Sequence, residues 1–556
     1  MTTESKAAIA APSPWEQATL LINGKKVERG AELVLFRGQE SEVTVEAPPA
    51  IARALNLGLV ENGGLGPVAS PEFGAWVAPV NGKFQWKIKP DAGKSGRITL
   101  VFFSREVVES WEHRSLVISS NLADEADVRV GGVPVSFGGR WFFRDKAQTV
   151  TLTPKPNSPL AGLPVTLTCA IKSGLNVADV VSVPAFGREQ TSYSWVVTGK
   201  TRSGTFQLAL AGQGMTTPIT FAVSKLLSSN LADEADVKIG GVAVPAGGNW
   251  FFRDKAQTVT LTPKSGSPLA GLPVTLTCDV KGGLFLADVE SFPAFGRGVT
   301  TYSWAVTGKT RSGRFELTLA GDGMTTPITL AVSKLLSNNL ADEADVKIGG
   351  FAVPTGGNWF IRDKAQTVSL VPKSGSPMAG LRVKLTCAIK SGLDVANVVS
   401  APAFGTELTT YSWAVTGHTK SGTFQLALTG NGMTTPINVA ISKLISNNLS
   451  DEAVLYVDGN LPPAGDVELQ RGGAPRTISL RAKSNSPIAG YPLMLIFNRG
   501  EILPDDVSST PQLGQVTTSH SWIVGAKSRS GRFELAAMDK VGGQILTQLK
   551  LPCRNV

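Results

Sequence analysis

The stretch Asn121-Leu-Ala-Asp-Glu-Ala-Asp127 returns at Asn230 and Asn339, and in weakened form at Asn448, in three steps of 109 residues. A period this long marks a compact domain copied head to tail, so it sets the architecture before any motif is read. The near-identical copies span 116–225, 226–334 and 335–443. Residues 444–556 form a diverged fourth copy, and 17–115, behind a tail at 1–16, a diverged fifth.

Three anchors in fixed order support the fifth copy. The first is a two-residue turn between apolar runs: Asn23-Gly24, Gly131-Gly132, Gly240-Gly241, Gly349-Gly350 and Asp458-Gly459. These dipeptides tolerate φ > 0 at both positions, as a type I′ hairpin requires. The second is Pro-x-(Phe/Leu)-Gly, beginning at Pro71, Pro184, Pro293, Pro402 and Pro511. The third is a Trp opening a strand, at Trp86, Trp195, Trp304, Trp413 and Trp522.

Within a copy the sequence predicts strands only. Gln257-Thr-Val-Thr-Leu-Thr262 alternates, Ser267-Pro-Leu-Ala-Gly-Leu-Pro273 breaks the chain, and Val274-Thr-Leu-Thr-Cys278 puts Val, Leu and Cys on one face. Roughly seven or eight short strands, with turn signals every 8–12 residues or so, are the pattern of an antiparallel sandwich. The fold class expected is all-β: five Ig-like antiparallel β-sandwiches in an elongated rod.

The run from Thr258 to Leu276, followed by the Gly308-Lys-Thr-Arg-Ser-Gly-Arg-Phe-Glu-Leu317 hairpin, resembles the bacterial Ig-like repeats of invasin and intimin-type adhesins. The resemblance covers about half of each copy. It implies the fold and, by analogy, adhesion. Each copy departs from it by an extra leading hairpin from Val237 to Phe252, and the outer-membrane barrel that anchors those adhesins is missing.

Composition narrows the function classes. The chain of 556 residues has 59 Gly, 34 Pro, 42% hydrophobic and 17% charged residues, which argues against disorder. The net charge of +9 is spread thinly, because residues 226–334 hold ten Lys and Arg against nine Asp and Glu. A bias of that size is no nucleic-acid stripe. No stretch approaches the roughly 18 apolar residues of a membrane helix. The opening Met1-Thr-Thr-Glu-Ser-Lys6 leads into no continuous apolar core, so a Sec signal is not expected. A cell-surface or extracellular site reached by a non-Sec route is favoured, with the cytoplasm left open. Cys169, Cys278 and Cys387 occupy one equivalent position and have no partner within their own copies, so they read, with Cys553, as small buried apolar residues.

Nothing points to catalysis. There are three His (His113 in a linker, His418 in a turn, and His520), with no Gly-x-Ser-x-Gly elbow, phosphate-binding loop or metal-spaced Cys/His cluster. An enzyme is not expected, and no cofactor. The acidic junctions Asp124/Glu125/Asp127 and Asp233/Glu234/Asp236 are weak Ca²⁺ candidates, since three carboxylates fall short of the six to eight oxygens Ca²⁺ takes. A solvated acidic turn or a salt bridge across the joint is the alternative. Phe142, Phe251 and Phe360 align with Leu35 and Leu469 and read as core. Their neighbours Trp141, Trp250 and Trp359 align with Val34 and Glu468 and read as outward, stacking on sugars or covering a seam with the next copy. The Arg that follows (Arg37, Arg144, Arg253, Arg362, Arg471) suits a strand-end brace. Lys200/Arg202, Lys309/Arg311, Lys420 and Lys527/Arg529 repeat on one hairpin tip, where they are ordinary wet turn charges or a multivalent row for an anionic polymer.

The reading is a non-enzymatic bacterial Ig-like repeat protein: an adhesin, spacer or fibre meeting a cell-surface glycan or protein, or other fibre subunits. Nucleic acid and membrane insertion are not expected. A multivalent carbohydrate binder and a component of a phage tail or contractile injection apparatus are the alternatives. An extended array would be on the order of 150–200 Å long.

Overall fold

The computed structural model describes residues 12–61, 64–135, 139–539 and 547–556. Its strands form ten sheets, two to a unit, around five separate apolar clusters. Unit 3 shows the plan. A single helical turn, α1 (Leu231–Glu234), precedes β1 (Ala235–Ile239), β2 (Val242–Ala243), β3 (Trp250–Phe252), β4 (Gln257–Pro263), β5 (Val274–Gly282) and β6 (Val289–Phe292). Then follow β7 (Gly298–Val299), β8 (Ser303–Gly308), β9 (Gly313–Gly321), β10 (Ile328–Thr329) and β11 (Ser333–Leu336).

One sheet runs β2-β1-β4-β8-β6 and the other β3-β11-β9-β5-β7, with β10 added to β9. With β1, β4, β8 and β6 as A, B, E and D, and β11, β9 and β5 as G, F and C, this is the immunoglobulin arrangement. All pairs are antiparallel except β3 on β11, where Trp250, Phe251 and Phe252 lie opposite Lys334, Leu335 and Leu336. Alternation does the packing. On β9 the residues Phe315, Leu317 and Leu319 are fully buried and interleaved with half-buried polar ones. Trp304 and its four counterparts are fully buried, and Phe251 meets Phe315 edge-on at 5.1 Å.

The hairpin anchors hold in every unit: Asn23, Gly131, Gly240, Gly349 and Asp458 all have positive φ, as do the glycines that follow them. The five Pro-x-(Phe/Leu)-Gly segments each open on a cis X-Pro bond.

Several expectations are corrected. The cuts expected near 116, 226, 335 and 444 fall inside or at the middle of strands Trp111–Ile118, Ser224–Leu227, Ser333–Leu336 and Ser442–Ile445. Each of these strands pairs with the sheet before it, so units 1 to 4 close at Ile118, Leu227, Leu336 and Ile445. The structure is not strands alone, because the acidic segments form one-turn helices capped by Asn121, Asn230, Asn339 and Asn448. The leading hairpin does not run from Val237 to Phe252. It ends at Ala243, and β3 crosses to the other sheet. His113 is a buried strand residue, not part of a linker. Cys169, Cys278 and Cys387 are only half-buried, near where their strand leaves the core, while Cys553 is buried. Burial raises the first three thiols to about 11 and Cys553 to about 12. A thiol held that high stays protonated and poorly nucleophilic.

The accessible surface is 27,490 Å². A compact monomer of this mass exposes roughly 19,000 Å². The units therefore meet end to end through small contacts.

Candidate functional site: the joints between units

The joints gather the acidic hubs and four of the five repeated arginines singled out by the sequence. At the joint of units 2 and 3, the Glu234 side chain is 2% exposed. Its carboxylate accepts from the Ser228 N–H at 2.6 Å, from the Ser267 hydroxyl of unit 3 at 2.5 Å, and from the Ser203 hydroxyl of unit 2. The Arg144 guanidinium stands 3.7 Å away. A buried carboxylate survives only when donors surround it, and here they come from both units and the linker.

Arg144 is a fork across the seam. Its Nη1 donates to the Thr201 carbonyl of its own unit at 2.7 Å, and its Nη2 to Asp233 of the next unit at 3.4 Å. Asp233 also accepts from the Ser228 hydroxyl at 2.6 Å, which fixes the linker. Two fixed donors on one planar group suit this task, whereas a lysine would offer a single nitrogen on a flexible stem.

The same set recurs at every joint. Arg253 with Glu343, Ser312, Ser337 and Ser376 links units 3 and 4. Arg362 with Glu452, Ser421, Ser446 and Ser486 links units 4 and 5. Arg37 with Glu125, Ser95, Ser119 and Ser158 links units 1 and 2. Arg471 is the fifth copy of this arginine; it reaches only its own tip, at the Ser528 carbonyl, 3.5 Å away.

An apolar plug runs beside the clasp. Phe143, Phe252 and Ile361 each end a strand of one unit and belong to the core cluster of the next. Burying such a side chain contributes about 1.5–3 kcal/mol. Gly323 makes room for Phe143: a Cβ there would lie 2.7 Å from the ring. Gly432 does the same for Phe252 at 2.5 Å.

Trp141, Trp250 and Trp359 are half-buried and turned into these seams. Trp141 and Trp250 approach Gly271 and Gly380 of the following unit, and Trp359 meets Tyr491 at 4.8 Å. Lys225, Lys334 and Lys443 lie over the three indoles at 4.5, 4.4 and 4.3 Å. These ammonium groups donate onward to the carbonyls of Ala270, Ala379 and Ala489. Burial holds Lys225 and Lys334 below the usual lysine range. One indole face is thus occupied by a cation and an edge by the next unit, which leaves no flat triplet of free rings.

The acidic triplets do not converge. Glu125 and Glu234 are the buried hubs, Asp124 and Asp233 face the arginines, and Asp127 and Asp236 sit exposed on the next strand, Asp236 3.8 Å from Lys264. Among the described residues no three His, Cys, Asp or Glu side chains cluster as a metal site would require.

The basic tips carry their own counter-charges. Lys309 pairs with Glu290 at 2.5 Å, Lys420 with Asp394 at 2.6 Å and Arg529 with Asp506 at 4.0 Å, while Arg311 stacks on Phe285 at 4.3 Å. The Lys200 and Lys527 backbones donate to the Asp179 and Asp506 carbonyls, each at 2.8 Å. The Thr201 hydroxyl and then the Asn176 N–H hold Asp179 below the usual carboxylate range, with Arg202 nearby adding to it. The tips of units 2 to 4 therefore also serve the joints: the Thr201, Thr310 and Thr419 carbonyls receive the clasp arginines, and Ser203, Ser312 and Ser421 reach the clasp glutamates.

The serines are the functional residues that sequence reasoning missed. In three near-identical copies every residue recurs, so recurrence singles out nothing. Only Ser95, Ser446 and Ser486, which lie in the diverged copies, carried a usable signal.

No family model matches the sequence, and no curated protein does. Among solved structures the chain is similar to FdeC, an Escherichia coli adhesin, at 14% identity over 57% of this chain and 96% of that one, with a TM-score of 0.28. It is similar to immunoglobulin domains 1–5 of Sidekick-1 at 11% identity over 97% and 99% of the two chains, with a TM-score of 0.20. It is also similar to the D0-D1 domain of intimin at 10% identity over 38% and 100%, with a TM-score of 0.16. These are likenesses of strand arrangement, and the Ig-like assignment rests on the sheet order given above.

Proposed function

We propose that the chain is a non-enzymatic spacer of the adhesin or fibre kind, which holds its terminal units apart through stiff joints and offers them to a surface or partner. The observation that carries this reading is the fourfold clasp: one buried glutamate, three serines and one arginine spanning every seam. A flexible linker would need none of these groups, because exposed serines and glycines serve that purpose. A seam with a buried, hydrogen-bonded charge and an apolar plug resists bending, since any opening exposes the plug and strips donors from the carboxylate. The partner class stays as broad as a cell-surface glycan, a surface protein or further fibre subunits.

Small-angle scattering of the full chain tests it. The wild type should have a maximum dimension on the order of 150–200 Å with a narrow cross-section. Replacing Arg144 and Arg253 together by Ala should shorten the mean dimension and broaden its distribution. Identical scattering from the two proteins would remove the rigid-spacer reading.

A further inference from the structure

One surface breaks the uniformity of the array. On the outer face of the Leu55–Glu61, Trp76–Val77 and Gly96–Ser104 sheet of unit 1, Trp76, Asn56 and Phe103 lie side by side in one cross-strand row. Trp76 and Phe103 are each 43% exposed, against the near-complete burial of most large aromatics in this chain. The Phe103 ring lies across Gly58, where a Cβ would come within 2.9 Å of it. The Arg105 guanidinium sits over the Trp76 ring at 4.4 Å. Among the described residues Arg105 has no ion pair.

The three shaft units show what this row is when nothing is asked of it. At the same register unit 2 has Glu189, Thr166 and Ala211, unit 3 has Gly298, Thr275 and Ala320, and unit 4 has Glu407, Lys384 and Thr429. The fold therefore needs no aromatic there. Two exposed rings in unit 1 have no packing purpose that the shaft units share.

We propose that this row is a binding platform for an acidic polysaccharide. Trp76 and Phe103 stand two strand spacings apart, about 10 Å. That suits every second ring of an extended glycan, whose apolar C–H faces pack on the electron-rich faces of aromatic rings. The guanidinium of Arg105, which has no ion pair among the described residues, selects a carboxylate or sulfate, for which its planar fork is shaped. Asn56 lies between the rings in the same row, its side-chain amide donating to the Gly74 carbonyl. This site is separate from the joints, so its failure leaves the spacer reading untouched, and a failed scattering result leaves this site untouched.

Affinity electrophoresis of the full chain through gels containing polygalacturonate, heparin or neutral galactan is the test. Wild type should be retarded by at least one acidic polymer and less by galactan. Trp76→Glu combined with Phe103→Ala installs the outer residues of the unit 2 row, which that unit folds with, so melting should not change. It should weaken acidic-glycan binding about thirty-fold or more, the scale of losing a binding hot spot. Arg105→Gln should erase the preference for acidic over neutral polymer. No retardation of the wild type by either acidic polymer overturns the proposal. So does unchanged binding by the double variant, which would move the glycan to the hairpin tips, or a protein partner lost by that variant when no glycan binds.

Discussion

The joints and the sheet faces of this molecule have diverged at different rates. The first and last joints each involve a worn copy, yet Arg37, Glu125, Ser95 and Ser158 at one, and Arg362, Glu452, Ser421 and Ser486 at the other, make the same contacts as the central pairs. The outward row of the C-strand sheet varies more: it is Trp-Asn-Phe in unit 1, Glu-Thr-Ala in unit 2 and Glu-Lys-Thr in unit 4, so unit 1 shares no residue with either. The physical difference is solvation. A buried carboxylate that loses one donor pays the full desolvation cost, whereas a side chain in water loses little when it changes. Seams are therefore held fixed, and faces are free to acquire binding.

That contrast can be broken first at its strongest point. Glu234→Ala removes the hub and leaves Arg144, Ser203, Ser228 and Ser267 with donors short of acceptors. It should cost about 3–5 kcal/mol, seen in calorimetry of the full chain as an early transition. A loss no larger than that of an exposed control such as Asp236→Ala would mean the clasp does not hold the seam. Gly323→Ala comes next, because the backbone there has φ +75° and the new Cβ would meet Phe143. The expected cost is about 1–3 kcal/mol. The same change at Gly266, whose surroundings are open, isolates the plug from the backbone strain.

Arg144→Lys keeps the charge but replaces the two separate nitrogens that serve the Thr201 carbonyl and Asp233 by one, so a loss of about 1–2 kcal/mol is expected. Full rescue by lysine would reduce the fork to a point charge. The smallest effect concerns pH. The Phe285 N–H, then the Thr310 hydroxyl, hold Asp288 below its ordinary range. Its contribution is therefore fully present above the unfolded pKa and fades as pH falls from there through the folded one. Unit 4 already has Asn397 at this position, donating to Thr419 at 2.7 Å. Asp288→Asn should thus leave neutral-pH stability nearly unchanged and flatten the acid limb of an unfolding titration. An unaltered acid limb would remove Asp288 from the account.

Much of the fold was legible because it rests on local chemistry. Gly-Gly and Asn-Gly pairs permit φ > 0, alternation in Gln257–Thr262 fixes a face, and the buried Trp is the second residue of its strand in units 2 to 5, although in unit 1 Trp86 lies in the middle of Lys83–Lys89. Strand ends were less legible. Ser224–Leu227 reads as the start of a new copy, and only its pairing with Trp141–Phe143 and Gly204–Gly212 assigns it to the old one. The one-turn helices escaped for a related reason, since four residues carry no helical period.

Sequence alone determined that one β-sandwich had been copied serially, because a period of 109 residues and turn chemistry are properties of the chain itself. It also fixed most of the residues that face each core, through the two-residue repeat of a strand, but not the half-buried Cys169, Cys278 and Cys387. Tertiary structure alone decided what the recurring charges do. Ser203, Glu234 and Ser267 are 31 and 33 residues apart along the chain and come within hydrogen-bond distance only when two finished sandwiches meet. The seam tryptophans and the exposed aromatic row on unit 1 follow the same logic, for exposure belongs to the assembled surface and not to any residue type.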